Sequence, residues 1–184
     1  MNTGLIATRY ATALLDFANT SNSQEKIYNE AKQIIQSFLN FKTLRNTLDN
    51  PVLALSEKRK VILLAAGGST SKAVERFVDV LLENNRIIYL QSIMLRYVEL
   101  YRKQFNIHSG TLTTATPVEA ATEKRLISLI EKQTGGSVEI EKFVDPSIIG
   151  GFMFEVDFIR WDASISAQLQ RIKHDYVEKN KRML

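Results

Sequence analysis

Cysteine is absent from the 184 residues, which excludes disulfides, thiolate nucleophiles and cysteine-based zinc sites together. Histidine is nearly as scarce. His108 and His174 are the two, far apart and without the spacing of a metal site. His108 reads as an exposed strand residue and His174 as a polar-face residue of the last helix. No apolar run approaches the roughly 20 residues that a membrane span requires. The first residues lack the basic stretch and apolar core of a signal peptide, so the chain is expected to start in the cytosol and to meet a membrane only through partners. The phosphate-loop pattern is also missing: Gly67-Gly68-Ser69-Thr70 follows a helical segment and reads as a connector. Gly135-Gly136 closes a helix, where an anion cradle would open one. Ser147 has no nucleophile elbow around it, and Asp157 and Asp162 are explained as a turn residue and a helix cap. No catalytic residue, cofactor or metal is expected.

What is present is an ordinary globular composition, 45% hydrophobic and 24% charged, enough for one domain or two small ones. The net charge is +4, and most of the excess lies at the end, where Arg171, Lys173, Lys179, Lys181 and Arg182 face only Asp175 and Glu178. A solvated helix face accounts for this run; a contact surface for something acidic is the alternative.

The chain has two grammars. Thr3 to Asn19, Asn22 to Asn40, Lys42 to Asp49, Ser56 to Ala66, Ser71 to Asn85 and Ile88 to Phe105 all carry helical spacing. Asn22 with Glu25 has the spacing of a capping box, and Asn50-Pro51 ends the third segment. Beyond Asn106 come a β-branched run, Gly110 to Ala115, and a helix start at Thr116-Pro117-Val118-Glu119 that runs to about Gln133. Val138 to Val144 and Phe152 to Val156 read as strands, and Asp162 with Ser164 offers an N-cap for a last helix. The expected class is α+β: an all-α bundle of about six helices over 1–106, then a small β-α-β-β-α domain over 107–184.

The helices differ in how much of their circumference is apolar. On the first, Thr8, Arg9, Thr12, Asp16 and Asn19 occupy an arc of only about 100°. On the fifth, Lys72, Glu75, Arg76, Asp79 and Glu83 hold the polar stripe and apolar residues spread over roughly 200°. From periodicity alone the simpler account buries both helices on two sides at the centre of the bundle. Alternatively each keeps an exposed shoulder, and two side by side make a groove for a third amphipathic helix. The last helix is different: Ile165, Leu169, Ile172 and Tyr176 form a narrow stripe near a heptad seam. Packing on its own small sheet explains the first half of that stripe, and the basic end beyond Tyr176 outruns the sheet.

The most specific stretch is Val144-Asp145-Pro146-Ser147-Ile148-Ile149-Gly150-Gly151 with Asp162-Ala163-Ser164: turn, extended run, cap and helix in few residues. With Arg9-Tyr10-Ala11, Ala13-Leu14, Asn50-Pro51-Val52, Lys58 and Leu82-Glu83-Asn84-Asn85-Arg86, it resembles the delta subunit of F-type ATP synthases, the oligomycin-sensitivity-conferring protein family, over the whole chain. One departure is Asp157-Phe158, where the family usually has Gly-Asp. The resemblance implies a non-catalytic stator subunit that links the catalytic hexamer to the peripheral stalk, so that proton-driven rotation is coupled to ATP synthesis. It implies that the first domain grips the N-terminal helix of an alpha subunit with its first and fifth helices. Tyr10, Ala13, Leu14 and Phe17 would line one wall, and Phe77, Val80, Leu81 and Asn84 the other. It further implies b-type peripheral-stalk subunits as partners of the second domain, and a peripheral place on the cytoplasmic face of a bacterial inner membrane. No nucleic acid is expected as a partner.

The rival reading is a small basic RNA-binding or helix-binding adaptor. Against RNA, the basic residues concentrate in the tail and the strands lack a matched set of exposed aromatics for stacking bases.

Overall fold

The fold is that of a computed structural model, which describes residues 3–68, 70–117, 125, 127–128, 131, 135–156 and 159–181. Two compact units divide between Phe105 and Asn106.

The first unit holds α1 (Thr3–Thr20), α2 (Gln24–Asn40), α3 (Thr43–Asp49), α4 (Leu55–Ala65), α5 (Lys72–Glu83) and α6 (Leu90–Gln104), with a 3-10 turn at Ile87–Tyr89 leading into α6. Helix α6 is the hub. Its Leu90, Ile93, Met94 and Tyr97 are fully buried, and its closest packing is with α1 and α2. The α1 face toward the core is largely alanine, Ala7, Ala11 and Ala18, and small side chains let helix axes approach closely.

Four helices end on the same device. Asn22, Gly67, Asn85 and Asn106 follow α1, α4, α5 and α6 with positive φ, between 48° and 98°. At the first three, the next residue's N–H reaches back to a carbonyl in the last turn of the helix: Ser23 to Ala18, Gly68 to Leu63 and Arg86 to Leu81. This is the Schellman arrangement, and asparagine is among the few residues besides glycine that enter it readily. Asn22 therefore terminates α1, and the capping box expected of Asn22 and Glu25 does not form; Ser23 stands at the N-cap of α2 without a side-chain cap bond. Helix α4 begins at Leu55, a residue before the serine that marks it in the sequence.

Two buried polar contacts fix the far side of this unit. Lys58 Nζ donates to the Leu48 carbonyl at 2.6 Å, placing a cation at the C-terminal end of α3. Glu30 of α2 accepts from both the backbone N–H and the hydroxyl of Ser71, each at 2.7 Å. Ser71 in turn caps α5 by accepting from the Val74 N–H. A carboxylate thus pins the N-terminus of α5, where helix dipole and unpaired N–H groups favour it.

The second unit is a four-stranded sheet of β1 (Ile107–Thr114), β2 (Ser137–Val144), β3 (Phe152–Val156) and β4 (Ile159–Asp162), in the order β2-β1-β3-β4. Strands β1 and β2 are parallel, and the other pairs antiparallel. The register puts Leu112 opposite Phe154 and Gly110 opposite Val156. Leu112, Phe154 and Val156 form a buried cluster with Val138, Ile140, Phe152 and Trp161 around it, while Glu139, Glu141 and Glu155 lie on the opposite face. The fourth strand, four residues long, exceeds the three that the spacing predicts. The helix expected from Thr116 to Gln133 lies largely outside the described residues, though Arg125, Ile127, Ser128 and Glu131 within it are helical. Asp157-Phe158 lies outside them too.

The signature stretch behaves as punctuation. Asp145 accepts from the Ser147 N–H at 2.9 Å and opens a 3-10 turn, Pro146–Ile148. Gly151 takes φ +78°, and a Cβ there would collide with the Ala163 carbonyl. Ile149, not Gly150, carries the other positive φ, at 66°, closed by a Gly150 N–H bond to the Ile148 carbonyl at 2.8 Å. Ser164 caps the last helix, α7 (Ile165–Lys181), by accepting from the Ala167 N–H. Asp162 braces Ser164 by accepting from its hydroxyl at 2.6 Å and its N–H at 3.0 Å.

His108 differs from expectation. It is half-buried, packed at the start of β1 where Gly136 leaves no side chain between them. His174 is exposed, as its place on the polar face of the last helix requires.

Candidate functional site

Helices α1 and α5 meet through Tyr10 and Phe77, whose rings stand edge to face with centroids 6.2 Å apart. Beside that contact an apolar basin of about 240 Å³ opens, lined by Tyr10, Ala13, Leu14 and Phe17 of α1 and by Ala73, Arg76, Phe77 and Val80 of α5. A second basin of about 360 Å³ adjoins it through Tyr10 and Ala13 and adds Ile6, Arg9 and Arg86. Phe17 and Val80 are 46% and 44% exposed, large values for apolar side chains on helices that also serve a core.

The wheel explains the division of labour. At about 100° per residue, positions i, i+3, i+4 and i+7 fall within one face. Ile6, Arg9, Tyr10 and Ala13 have that spacing on α1, and Ala73, Arg76, Phe77 and Val80 have it on α5. The core-facing residues, Ala7, Ala11 and Ala18 on one helix and Val74, Val78 and Leu82 on the other, lie on the adjoining face.

Of the eight residues expected to line the groove, six do: Tyr10, Ala13, Leu14, Phe17, Phe77 and Val80. Leu81 does not. It is 0% exposed, because its place about 40° round from Phe77 turns it into the core. Asn84 is exposed at the end of α5, where its side chain folds back to donate to the Val80 carbonyl at 2.7 Å. Ala73, Arg76, Ile6, Arg9 and Arg86 were not anticipated as lining residues. Extending each stripe by one turn finds Ala73 and Ile6; Arg9 and Arg76 are read as polar stripe and stand at the groove's margin, and Arg86 comes from the turn after α5.

The last helix carries a second apolar surface. Exposure rises along its stripe from 43% at Ile165 to 68% at Tyr176. The expectation that the first half of the stripe packs on the sheet is therefore corrected. The helix is tethered at its start, by the Ile165 N–H to the Gly150 carbonyl at 2.9 Å and by contact with the Pro146–Ile148 turn, and its stripe then runs clear. Arg171 and Lys173 are exposed beside it; the side chains of Lys179 and Lys181, and Arg182 altogether, lie outside the described residues. Among the described residues, no cluster of His, Asp or Glu could hold a metal, and no helix is long and apolar enough to cross a membrane.

A family model described as ATP synthase delta (OSCP) subunit matches residues 6–175. The chain belongs to the ATP synthase delta (OSCP) subunit family. It is 40% identical to the ATP synthase subunit delta of Phocaeicola vulgatus and 39% identical to that of Bacteroides thetaiotaomicron, over all of both chains in each case. Identity to the delta subunit of Prochlorococcus marinus is 34%, over 91% of this chain and 92% of the relative. In fold it is similar to a chain in a cryo-EM structure of the Toxoplasma gondii mitochondrial ATP synthase hexamer, with a TM-score of 0.63, 19% identity, and coverage of 93% of this chain and 97% of that one. Membership in the OSCP family makes the protein a non-catalytic stator subunit of ATP synthase, with a coupling role.

Proposed function

We propose that the two units divide the stator's task, residues 1–106 binding the catalytic sector and residues 107–184 binding the peripheral stalk. The groove between α1 and α5 receives the N-terminal helix of an alpha subunit. The exposed stripe of α7 receives the C-terminal end of b-type stalk subunits, on the cytoplasmic face of a bacterial inner membrane. The observation that supports this most is the apolar groove itself. It is concave, it is lined by Tyr10, Ala13, Leu14, Phe17, Phe77 and Val80, and its two walls repeat the spacing that helix-in-groove recognition uses. A joint of this kind needs no nucleotide site. It needs an apolar centre with a polar rim at each end.

Titration calorimetry of the full chain with a synthetic alpha-subunit N-terminal peptide tests the reading. One-to-one binding is expected, weakened at least about tenfold by Phe17→Ala/Val80→Ala, in line with loss of two central apolar anchors. Both residues are half-exposed, so the fold survives the change. No binding at high micromolar peptide, or undiminished binding by the double variant, would contradict it. Stalk binding is tested in the same way with a fragment from the C-terminal end of a b-type stalk protein and the α7 variants described in the Discussion.

A further inference from the structure

The groove is apolar along its floor, yet every charged residue that lines it is an arginine. Arg9 and Arg86 stand in the basin with Ile6, and Arg76 stands in the basin with Phe17 and Val80. Arg9 and Arg76 hold equivalent places, each the i+3 position of its wall.

The positive sign follows from where the acids go. Helix α5 carries Glu75 and Asp79 in its middle, and Arg59 of α4 draws both away: its guanidinium bonds Asp79 Oδ1 at 2.6 Å and Glu75 Oε2 at 3.1 Å. That leaves Arg76 unpaired with either of these acids. Among the described residues neither Arg9 nor Arg76 makes an ion pair.

Arg86 is held in place. The turn after α5, with Asn85 at φ 53° and the Arg86 N–H bonded to the Leu81 carbonyl at 2.8 Å, carries the chain back toward α1. Its guanidinium then lies over the Tyr10 ring, 5.5 Å from the centroid, and Nη1 donates to the Tyr10 hydroxyl at 2.6 Å. A guanidinium has five N–H donors in a rigid fork, so most of the fork remains open to a planar acceptor.

We propose that the groove selects its helix by charge as well as by shape. The occupant is an amphipathic helix of about three turns, the length of wall between Ile6 and Phe17. Its apolar stripe is flanked by carboxylates, one set meeting Arg9 and Arg86 and the other meeting Arg76. This rests on the reading that the groove holds a partner helix. The arginines lie at the rim, where charges govern encounter rate and choice of partner more than the depth of binding.

Two synthetic peptides of about 20 residues, each an amphipathic helix with one apolar stripe, separate this claim from the underlying one. The stripe is flanked in one by Glu and in the other by Lys. Both are titrated into the full chain at about 50 and about 500 mM NaCl, beside the alpha-subunit N-terminal peptide. The Glu peptide is expected to bind at least about tenfold more tightly than the Lys peptide at low salt, with most of the difference gone at high salt, where exposed charges are screened. Arg9→Gln/Arg76→Gln should remove most of that preference at low salt and match the wild type at high salt. Adding Arg86→Gln should remove the rest. Phe17→Ala, by contrast, should weaken both peptides equally at either salt. Equal affinities for the two peptides, with the alpha peptide bound, would overturn charge selection and leave the groove reading intact. Failure of all three peptides would overturn both. Self-association of the chain that Phe17→Asp abolishes in sedimentation velocity would make a second copy the occupant, and would overturn the proposal.

Discussion

The two units leave apolar surface uncovered in opposite ways. In the bundle it is concave: α1 and α5 serve the core around α6 with one face and open a basin with the next. In the α/β unit it is convex: α7 is tethered at one end and presents Ile165, Leu169, Ile172 and Tyr176 as a ridge. A preformed groove spares most of the ordering cost at binding. A bare ridge at spacings of four, three and four asks for a partner that supplies the other half of a helix seam. The same sequence device, an amphipathic helix, thus gives a socket in one unit and a plug in the other.

The comparison can be broken from the α/β side first. Gly151→Ala drives a Cβ into the Ala163 carbonyl at a φ of +78°, on the path that positions α7. The expected cost is roughly 3 kcal/mol or more in that unit. Hydrogen exchange should speed up in residues 106–181 and hold in α1 to α6. Equal loss in both units would mean they do not fold independently.

On the bundle side, Glu30→Ala leaves the Ser71 N–H and hydroxyl without their buried acceptor and frees the N-terminus of α5. A loss of about 2–3 kcal/mol in urea denaturation is expected. Affinity for the alpha peptide should fall with it, because α5 is a wall of the groove. Unchanged affinity would show that the wall keeps its place without the pin.

The ridge predicts the reverse combination. Leu169→Asp/Ile172→Asp should change stability by no more than about 0.5 kcal/mol, since both residues are exposed. Binding to the b-type stalk fragment should nonetheless weaken at least about tenfold. A large stability loss would mean the stripe packs within the chain after all.

The smallest effect is the pH response, and it differs between the units. Hydrogen bonds from Ser147 and Ser164 hold the Asp145 and Asp162 carboxyls below their ordinary range. Their contribution is complete above the unfolded carboxylate value of about 3.9 and is lost as pH falls through the lower folded values. In the bundle, burial pushes the Tyr97 phenol up. Its contribution is complete below the unfolded value of about 10 and is lost as pH rises beyond it. Circular dichroism with domain-resolved exchange should therefore find acid loosening the Pro146–Ile148 turn and the cap of α7 first, and alkali loosening the bundle first.

Much of this was legible in the sequence because helical spacing is a strong local signal. The six bundle helices and the over-wide arcs of α1 and α5 follow from it; spacing alone favours burying both helices on two sides, and the groove with its wall residues is what the family resemblance implies. What periodicity resolves poorly is a boundary between two adjoining apolar faces. Leu81 and Phe77 are separated by about 40° on the wheel, and only packing decides which one turns inward. Asn22 departs from expectation for a related reason: asparagine suits an N-cap and a left-handed C-terminal position alike, and the chain uses it to stop α1. Ile149 could not be anticipated at all, since a β-branched residue at positive φ runs against local preference and is imposed by the turns on either side. The exposure of the α7 stripe was likewise hidden, because a stripe looks the same whether its partner is in the chain or outside it.

The central claim is that the groove of the bundle, and not the α/β unit, receives the alpha-subunit helix. Nuclear magnetic resonance titration of the isotope-labelled full chain with the alpha-subunit N-terminal peptide tests it most directly. Shifts confined to α1 and α5, strongest around Tyr10, Ala13, Phe17, Phe77 and Val80, with β1 to β4 and α7 unchanged, are the predicted result. Shifts centred on α7 or the sheet, with the groove silent, would contradict it.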